Sequence, residues 1–251
     1  LSTALRKSRE SILVNLNQKI DSEKIIKFKR LINRRASKEP IAYILSEKEF
    51  WSKKFFVNSS TLIPRPETEM MVEKLIEIYL RKSISILDIG TGSGCILISM
   101  LCELKKSSGI GIDISKKALK IAKKNAKLHK INHSVKFIHR SFDNIFNKKF
   151  DLIVSNPPYI AERDMNSLDD DIKKHEPFIA LNGGVDGLDV IKKVIYKAKD
   201  ILKINGTLAL EIGNGQYKKV SKILTNNNFK IRTKVIDYKD NIRSIISTFL
   251  K

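Results

Sequence analysis

The chain has 251 residues, 42% of them hydrophobic and without an apolar run that spans a membrane, so we expect one large domain, or one large and one small. The chain has only two cysteines, Cys95 and Cys102, and they lack metal-ligand spacing. We therefore expect neither a metal site nor a disulfide framework, and we expect a cytoplasmic location. The net charge of +21 suits a phosphate- or carboxylate-rich partner, but only 11 of the 48 basic residues are arginine, so a general lysine bias explains it as well.

Residues 1–45 are predicted to be helical. Their apolar side chains recur at helical spacing in two groups, which are Ile12, Leu13, Leu16 and Ile20, then Ile25, Ile26, Phe28, Leu31 and Ile32. Asp21 and Ser22 provide an N-cap between the two groups, and Pro40 ends the pattern. Aromatic and apolar residues between positions 46 and 64 then predict a short pair of strands.

From about residue 66, predicted helices alternate with short apolar runs. The helices are expected at 68–80, 96–104, 116–129, 190–204 and 217–224. The strands are expected at 84–89, 110–112, 135–138, 150–154, 207–212, 230–236 and 242–249. This alternation predicts an α/β fold, in which helices cover both faces of a parallel sheet and the closing strand–turn–strand adds one antiparallel member.

The strand at 84–89 leads directly into a glycine-rich turn, Gly90-Thr91-Gly92-Ser93-Gly94. Ligands of doubly wound sheets bind at the carboxyl ends of the strands, and glycines allow the backbone to approach them closely. Cys95 replaces the last glycine of a dinucleotide fingerprint, and no Gly-Lys-Ser/Thr follows, so neither a dinucleotide nor a nucleoside triphosphate is favoured. The turn suits S-adenosylmethionine, and we predict that all five of its residues bind this cofactor.

Two acidic residues flank this turn in the predicted sheet. Asp113 ends the next strand, 23 residues after Gly90, where a carboxylate can accept both hydrogens of a ribose diol. A structural N-cap before Ser115 is the alternative, and both roles are compatible. Asp88, within the preceding strand, is expected to orient the turn or the amino group of the ligand.

Asn156-Pro157-Pro158-Tyr159 follows the strand at 150–154, on the same rim as the glycine turn. Proline has no N–H and a fixed φ, so the two prolines form a stiff segment with an outward carbonyl. That carbonyl and the Asn156 amide oxygen are two acceptors for an NH₂ group, and Tyr159 offers an aromatic face to a planar substrate. Holding both hydrogens aims the nitrogen lone pair at a methyl donor without a strong base. We therefore predict Asn156, Pro157 and Tyr159 as catalytic, and the same residues with Pro158 as substrate-binding.

With these motifs in place, the chain resembles the release factor glutamine methyltransferase family over nearly its full length. Further matching segments are Glu39-Pro40-Ile41-Ala42-Tyr43-Ile44, Phe50-Trp51, Leu62-Ile63-Pro64-Arg65-Pro66-Glu67-Thr68-Glu69, Glu176-Pro177, Ala180-Leu181, Gly184, Asp186-Gly187-Leu188, Glu211-Ile212-Gly213 with Gln216, and Asp237-Tyr238 with Asp240-Asn241 and Arg243. The resemblance implies a seven-stranded doubly wound class I methyltransferase sheet with a small N-terminal helical domain. It also implies N5-methylation of the glutamine in the Gly-Gly-Gln motif of class I peptide chain release factors.

The resemblance also implies domain boundaries and residue roles. Residues 1–45 become a substrate-docking domain, 46–66 a β-hairpin linker and 67–251 the methyltransferase domain, while Phe142 lies along the adenine and Asn156 contacts both cofactor and substrate. Three departures from the family pattern stand out. The helical domain is expected to lack the beginning of the family's domain, Ser141 replaces a frequent acid with Asp143 nearby, and Ser46 replaces a usual glycine.

Two alternatives remain at this point. An amino-methyltransferase acting on adenine N6 or cytosine N4 of nucleic acid would share the Asn-Pro-Pro-Tyr motif, and the positive charge favours it. No target-recognition domain is evident, however, and the N-terminal helices favour a protein substrate. A non-catalytic binding module with the same fold is the other alternative, and both intact motifs argue against it. We predict a monomer that acts on a release factor, with no stable nucleic-acid or membrane partner.

Overall fold

The computed structural model describes residues 1–143 and 148–250. Four helices come first, α1 (Ser2–Leu5), α2 (Arg9–Val14), α3 (Ser22–Ala36) and α4 (Ile41–Leu45), followed by the antiparallel hairpin of β1 (Glu47–Phe50) and β2 (Lys53–Phe56). The prediction that one helix carries Leu16 and Ile20 is wrong, because α2 ends at Val14. Leu13, Val14 and Leu16 are exposed, so no packing energy extends this helix beyond its intrinsic propensity. Asp21 takes the N-cap position of α3 without a side-chain hydrogen bond.

The rest of the described chain forms a seven-stranded sheet with helices on both faces. Its helices are α5 (Pro66–Tyr79), α6 (Cys95–Glu103), α7 (Lys116–Leu128), α8 (Asp170–His175), α9 (Asp189–Ile201) and α10 (Tyr217–Thr225). Its strands are β3 (Ser85–Ile89), β4 (Ser108–Asp113), β5 (Val135–His139), β6 (Phe150–Ser155), β7 (Leu202–Glu211), β8 (Phe229–Ile236) and β9 (Ile242–Phe249). None of the helices within the described residues is long and apolar enough to cross a membrane.

The strand order is β5-β4-β3-β6-β7-β9-β8. Strand β9 runs antiparallel to both of its neighbours, whereas the other neighbouring pairs are parallel. The predicted fold class, a seven-stranded doubly wound α/β sheet with one antiparallel member, is therefore confirmed. The chain order changes direction at β3, whose neighbours are β4 and β6, and the carboxyl ends of these three strands form the crevice in which such sheets bind ligands.

Each face of the sheet has its own hydrophobic layer. Consecutive residues of a strand point to opposite faces, so Ile86 packs in one layer and Leu87 in the other. The first layer contains apolar residues of α5, α6 and α7, and the second contains those of α9 and α10. Burial on both faces explains why the central strands are almost continuously apolar rather than alternating.

Two further parts of the chain differ from the sequence prediction. The helix predicted at 190–204 ends at Ile201, and β7 begins at Leu202, which pairs with Phe150 of β6. The apolar spacing of residues 202–204 fits either a helix or a strand. The strand is favoured because it gains backbone hydrogen bonds to β6. The segment between β6 and α9, for which no elements were predicted, holds α8 and two 3₁₀ helices, Glu162–Ser167 and Phe178–Ala180. This segment lies over the carboxyl edge of the sheet beside the crevice.

Candidate active site

Three adjoining cavities lie at the carboxyl edge of the sheet. The large cavity, of about 610 Å³, is lined by residues of the glycine turn and by Asp113, Phe142, Pro157 and Pro158. The small cavity, of about 140 Å³, is lined by eight residues, which are Leu62, Arg65, Asn156, Tyr159, Ile160, Ile172, Ala180 and Leu181. The groove, of about 770 Å³, lies among α3, α4, the hairpin and α8.

Shared lining residues show how the cavities are arranged. Leu62 and Ala180 line both the large and the small cavity. Arg65 and Ile172 line both the small cavity and the groove. The small cavity therefore lies between the other two, and the four residues of the Asn-Pro-Pro-Tyr motif are divided, with the prolines in the large cavity and Asn156 and Tyr159 in the small one.

Gly90 and Gly92 present bare backbone to the large cavity. Their φ angles are 72° and 55°, in the left-handed region that favours glycine. A Cβ built on Gly90 would meet nothing within 4 Å, and one on Gly92 would meet only a backbone oxygen at 4.0 Å. The space that side chains would fill is thus open, so a ligand can lie directly against this backbone.

The backbone donors of Gly90, Thr91 and Gly92 are already used within the protein. Gly90 and Thr91 donate to the carbonyl of Ile112, and Gly92 donates to Asp113 at 2.9 Å. A turn that binds phosphate needs free N–H groups aimed at the ligand. Because these donors are occupied, the geometry disfavours a pyrophosphate, in agreement with the sequence.

The other residues of the turn lie beneath it rather than in the cavity wall. Thr91 and Ser93 are buried, and Thr91 Oγ1 donates to Asp88 Oδ2 at 2.6 Å. A Cβ on Gly94 would approach Ile98 Cδ1 to 2.9 Å, so this glycine is needed for close packing. Burial raises the pKa of Asp88 to about 7. Asp88 therefore braces the turn from below, one of the two roles expected for it.

Asp113 combines a structural role with a position in the large cavity. Its Oδ1 accepts the N–H of Ser115 at 2.8 Å and its Oδ2 accepts that of Gly92 at 2.9 Å. Each carboxylate oxygen has a further lone pair, so both can still accept hydrogens from a ligand diol. Burial raises the pKa of Asp113, and hydrogen bonds from the backbone of Ser115, Gly92 and Ile114 oppose that shift.

The lining of the large cavity fits S-adenosylmethionine. Its volume lies in the usual range for small-molecule sites of about 300 to 1,000 Å³. Apolar side chains such as Ile89, Phe142 and Val190 form most of the wall, Asp113 and Asp143 stand at one side, and Lys117 is the sole cation among the described lining residues. Ser141, which replaces a frequent acid of the family, donates to Asp143 Oδ2 at 2.7 Å. An apolar wall with acids suits a nucleoside that carries a positive charge.

Asn156 and Tyr159 are connected behind the small cavity by Thr68 and Glu211, for which no role was predicted from the sequence. Asn156 Nδ2 donates to Thr68 Oγ1 at 3.4 Å, and Thr68 Oγ1 donates to Glu211 Oε2 at 2.5 Å. The Tyr159 hydroxyl donates to Glu211 Oε1 at 3.4 Å and accepts from Arg243 at 3.5 Å. Both Thr68 and Glu211 are buried. Burial raises the pKa of Glu211 to about 7, although Thr68, Arg243 and Tyr159 oppose the shift.

Further hydrogen bonds hold the walls of the small cavity. Gln216 Nε2 donates to the carbonyls of Tyr159 and Gly187 at 2.9 and 3.2 Å. The buried carboxylate of Glu176 accepts from Arg65 at 2.5 Å and from the backbone of Ile63 at 3.0 Å. These residues stood in the segments that carried the family resemblance, which was the one signal able to find them.

Asn125 joins the hairpin to the glycine turn. Its side chain is fully buried and bonds both the N–H and the carbonyl of Phe56 in β2, at 2.7 and 3.0 Å. It also donates to the carbonyl of Ser93 at 2.8 Å. No pattern in the sequence singles out this asparagine within a lysine-rich helix.

The doubly wound sheet, the bare glycine turn and the Asn-Pro-Pro-Tyr motif at one edge define a class I S-adenosylmethionine-dependent methyltransferase. The family described as Methyltransferase small domain matches residues 66–174, and the PrmC N-terminal domain matches residues 1–45. The chain belongs to the release factor glutamine methyltransferase family. The member from Haemophilus influenzae is 40% identical over 100% of this chain and 90% of its own length, and that from Fusobacterium nucleatum is 42% identical over 98% and 70%.

Other relatives are longer than this chain or more distant. A bifunctional methyltransferase of Rickettsia prowazekii is 39% identical over 92% of this chain, which spans only 48% of that protein. A ribosomal protein L11 methylase from Lactobacillus delbrueckii has a TM-score of 0.56 at 22% identity, covering 75% of this chain and 81% of its own. A methyltransferase from Pyrococcus furiosus has a TM-score of 0.59 at 17% identity, covering 90% and 98%. These solved structures share the fold.

Proposed function

We propose that this protein transfers a methyl group from S-adenosylmethionine to the N5 nitrogen of the glutamine in the Gly-Gly-Gln motif of a class I peptide chain release factor. The observation that carries the proposal is the small cavity, which brings Asn156 and Tyr159 together between the large cavity and the groove. A carboxamide side chain entering from the groove would reach the cofactor cavity through it. The names of the Haemophilus and Fusobacterium relatives support the same reaction.

We propose a cofactor site in the large cavity, formed by Gly90, Thr91, Gly92, Ser93, Gly94, Asp113 and Phe142, with Asn156 reaching the cofactor only from the adjoining small cavity that it lines. The open backbone at Gly90 and Gly92 and the remaining lone pairs of Asp113 support it. Thr91, Ser93 and Gly94 would act by shaping the turn from beneath, because they are buried. S-adenosylmethionine, when bound there, supplies an electrophilic methyl group.

The protein residues would then orient the acceptor nitrogen. A carboxamide nitrogen is a poor nucleophile because its lone pair is delocalised into the carbonyl. The Asn156 amide oxygen and a carbonyl of the Pro157-Pro158 segment would accept its two hydrogens; the Tyr159 carbonyl already accepts from Gln216. Burial raises the pKa of the Tyr159 phenol, so its ring stays neutral and packs on the planar amide. Positioning and electrostatics then supply the catalysis.

We further propose that residues 1–45 dock the release factor, that 46–66 link the two parts as a hairpin, and that 67–251 carry out methyl transfer. The match of the PrmC N-terminal domain to residues 1–45 supports the first boundary. The groove supports the docking role, because α3, α4 and the hairpin form its wall beside the small cavity. A monomer in the cytoplasm, with no stable nucleic-acid partner, completes the proposal.

A labelling experiment tests this function. Purified protein with methyl-labelled S-adenosylmethionine is expected to label a purified class I release factor, and mass spectrometry is expected to place the label on the glutamine of Gly-Gly-Gln. Release factors with that glutamine changed to alanine serve as the control and should stay unlabelled. Label on DNA or RNA but not on the release factor would reverse the proposal in favour of a nucleic-acid amino-methyltransferase, the alternative that the +21 charge favours.

The Asn156→Ala variant tests the two-acceptor mechanism. Loss of one preorganised acceptor should lower kcat about 100-fold or more. Affinity for S-adenosylmethionine, measured by calorimetry, should change little, because the Asn156 side chain lines the small cavity rather than the large one. Asn166→Ala, which alters an exposed asparagine, is the matched control and should retain activity. Near-normal kcat in Asn156→Ala would refute the mechanism.

A further inference from the structure

The amide of Asn156 can be oriented in two ways, and only one of them serves an incoming NH₂ group. In the observed orientation Nδ2 donates to Thr68 Oγ1 at 3.4 Å, which leaves Oδ1 on the other side of the amide. Rotation by half a turn would instead present Nδ2, a donor, to the donor hydrogens of a substrate amide. What holds this orientation therefore decides whether Asn156 attracts or repels the substrate nitrogen.

The hydroxyl of Thr68 has a single hydrogen, and Glu211 takes it. The Thr68 Oγ1 to Glu211 Oε2 distance is 2.5 Å, and both side chains are buried. With its hydrogen committed, Thr68 can only accept from Asn156. The flipped amide would bring two oxygens without a shared hydrogen together in a buried site, which costs about 1 to 3 kcal/mol.

Glu211 constrains Tyr159 as well. Its Oε1 lies 3.4 Å from the Tyr159 hydroxyl, which in turn accepts from Arg243 at 3.5 Å. The same carboxyl group thus lies behind both polar side chains of the Asn-Pro-Pro-Tyr motif. The ionised carboxylate and a Glu211 protonated at Oε1 both accept from Thr68 at Oε2, so the polarity at Asn156 is kept in these two states.

We propose that Thr68 and Glu211 are positioning residues, which fix the Asn156 amide with its oxygen directed at the acceptor nitrogen. This inference rests on the proposed function for its consequence in catalysis, but not for its geometry. Thr68 lies in the first turn of α5 and Glu211 at the end of β7, so the bond also joins a helix to the sheet. A purely structural role would affect stability alone, and the experiment must separate the two.

The geometry is tested by nuclear magnetic resonance of the Asn156 side-chain amide, assigned by its disappearance in Asn156→Ala. In Thr68→Val this resonance should shift and its hydrogens should exchange faster with water, whereas Thr68→Ser should restore the wild-type signal. Thr207→Val is the matched control, since it removes another buried hydroxyl at the contact between α5 and β7, bonded to Tyr79 at 2.7 Å. An unchanged Asn156 signal in Thr68→Val would overturn the inference.

The consequence is tested by kinetics on the same variants. Thr68→Val should lower kcat roughly 10- to 100-fold and leave the S-adenosylmethionine Kd within about 3-fold, since neither Thr68 nor Glu211 lines the large cavity. Thr68→Ser should recover most of kcat, because it keeps the hydroxyl that bonds Glu211 and Asn156. Should Thr68→Val fail to fold, Thr68→Ala replaces it in both measurements.

The outcomes separate the two proposals. Loss of kcat in Thr68→Val with normal cofactor affinity and rescue by serine supports the inference, and equal kcat in Thr68→Val and Thr207→Val refutes it. A wild-type protein that does not methylate release factors refutes the proposed function instead. In that case the amide resonance still decides whether Thr68 and Glu211 orient Asn156.

Discussion

Glu211 is a carboxyl group at the end of a central strand, with no exposed surface. Burial raises its pKa from 4.5 to about 7. Because the folded-state pKa lies above the unfolded one, the folded protein binds the proton more tightly. The stabilisation from this residue is therefore complete below about pH 4.5 and is lost as the pH rises to about 7.

Replacing Glu211 with glutamine should remove this pH dependence. At about 1.4 kcal/mol per pKa unit, Glu211 makes the free energy of unfolding fall by on the order of 3 kcal/mol between pH 4.5 and 7. Urea denaturation of the wild type and Glu211→Gln at pH 5 and pH 7.5 measures the difference. Asp88 titrates in the same range but is present in both proteins. Any difference in how their free energies of unfolding change with pH is therefore due to Glu211. The same pH dependence of the free energy of unfolding in the two proteins would show that Glu211 is ionised throughout.

At the scale of residues, the positions of the motif residues could be predicted from the sequence, but the residues that hold them in place could not. Gly90, Asp113 and Asn156 follow three strands in the sequence, and parallel strands bring their carboxyl ends to one edge. Thr68 and Glu211 each lie in a segment that carried the family resemblance, but they are 143 positions apart and nothing in the sequence pairs them. Their contact depends on how α5 packs against the sheet, which only the folded chain defines.

Ser46 shows how one residue ends an element. It caps α4 with φ 58° and ψ 22°, the left-handed conformation in which glycine is usual. The sequence identified Ser46 as a departure from a family glycine, and the structure gives the physical reason for that glycine. A residue with a Cβ pays roughly 1 to 2 kcal/mol in this conformation.

Ser46→Gly should therefore stabilise the protein by about 1 kcal/mol, after the extra entropy of glycine in the unfolded chain is counted. Ser37→Gly is the matched control, because Ser37 caps α3 with φ −79°, where glycine relieves no strain. That variant should be destabilised by roughly 0.5 to 1 kcal/mol. Thermal and urea unfolding of both variants measure the effect, and a destabilised Ser46→Gly would contradict the assigned strain.

The predicted boundaries of helices and strands were wrong where the apolar spacing was ambiguous. The run after α9 reads equally as helix or strand, and pairing of Leu202 with Phe150 decides for β7. Near the N-terminus, α2 stops at Val14 because the apolar residues beyond it are exposed. Both errors have the same origin, since periodicity states which face is apolar but not whether anything covers it.

On the scale of the whole molecule, ion pairs join the N-terminal helices to the segment beside the active site. Arg35 in α3 contacts Asp171 in α8 at 2.6 Å, and Lys38 contacts Asp170 at 2.7 Å. Burial of these groups is slight, so the pairs contribute little to global stability. They lie beside the groove, which Arg35, Asp171 and Ile172 help to line.

We expect the double change Asp170→Asn with Asp171→Asn to act on substrate docking rather than on folding. Loosening α8 from α3 should raise KM for the release factor roughly 3- to 10-fold, and high salt should raise the wild-type KM in the same way. Affinity for S-adenosylmethionine should be unchanged. Glu77→Gln, which breaks a similar exposed pair with Lys74 within α5, is the control. An unaltered KM in the double variant would show that this interface does not shape the groove.

The sequence by itself determined the α/β class, the order of strands and helices after residue 66 apart from α8 and the two 3₁₀ helices, and the strand ends at which the predicted ligand-binding residues stand. Local chemistry suffices for these, because hydrophobic period, glycine turns and proline pairs act over a few residues. The tertiary structure alone decided that Asn156 and Tyr159 occupy a separate small cavity, that Thr91, Ser93 and Gly94 lie beneath the turn, and that Glu211 stands behind the motif. Those facts arise from the packing of elements distant in the chain, and the burial that raises the pKa of Glu211 exists only after they have packed.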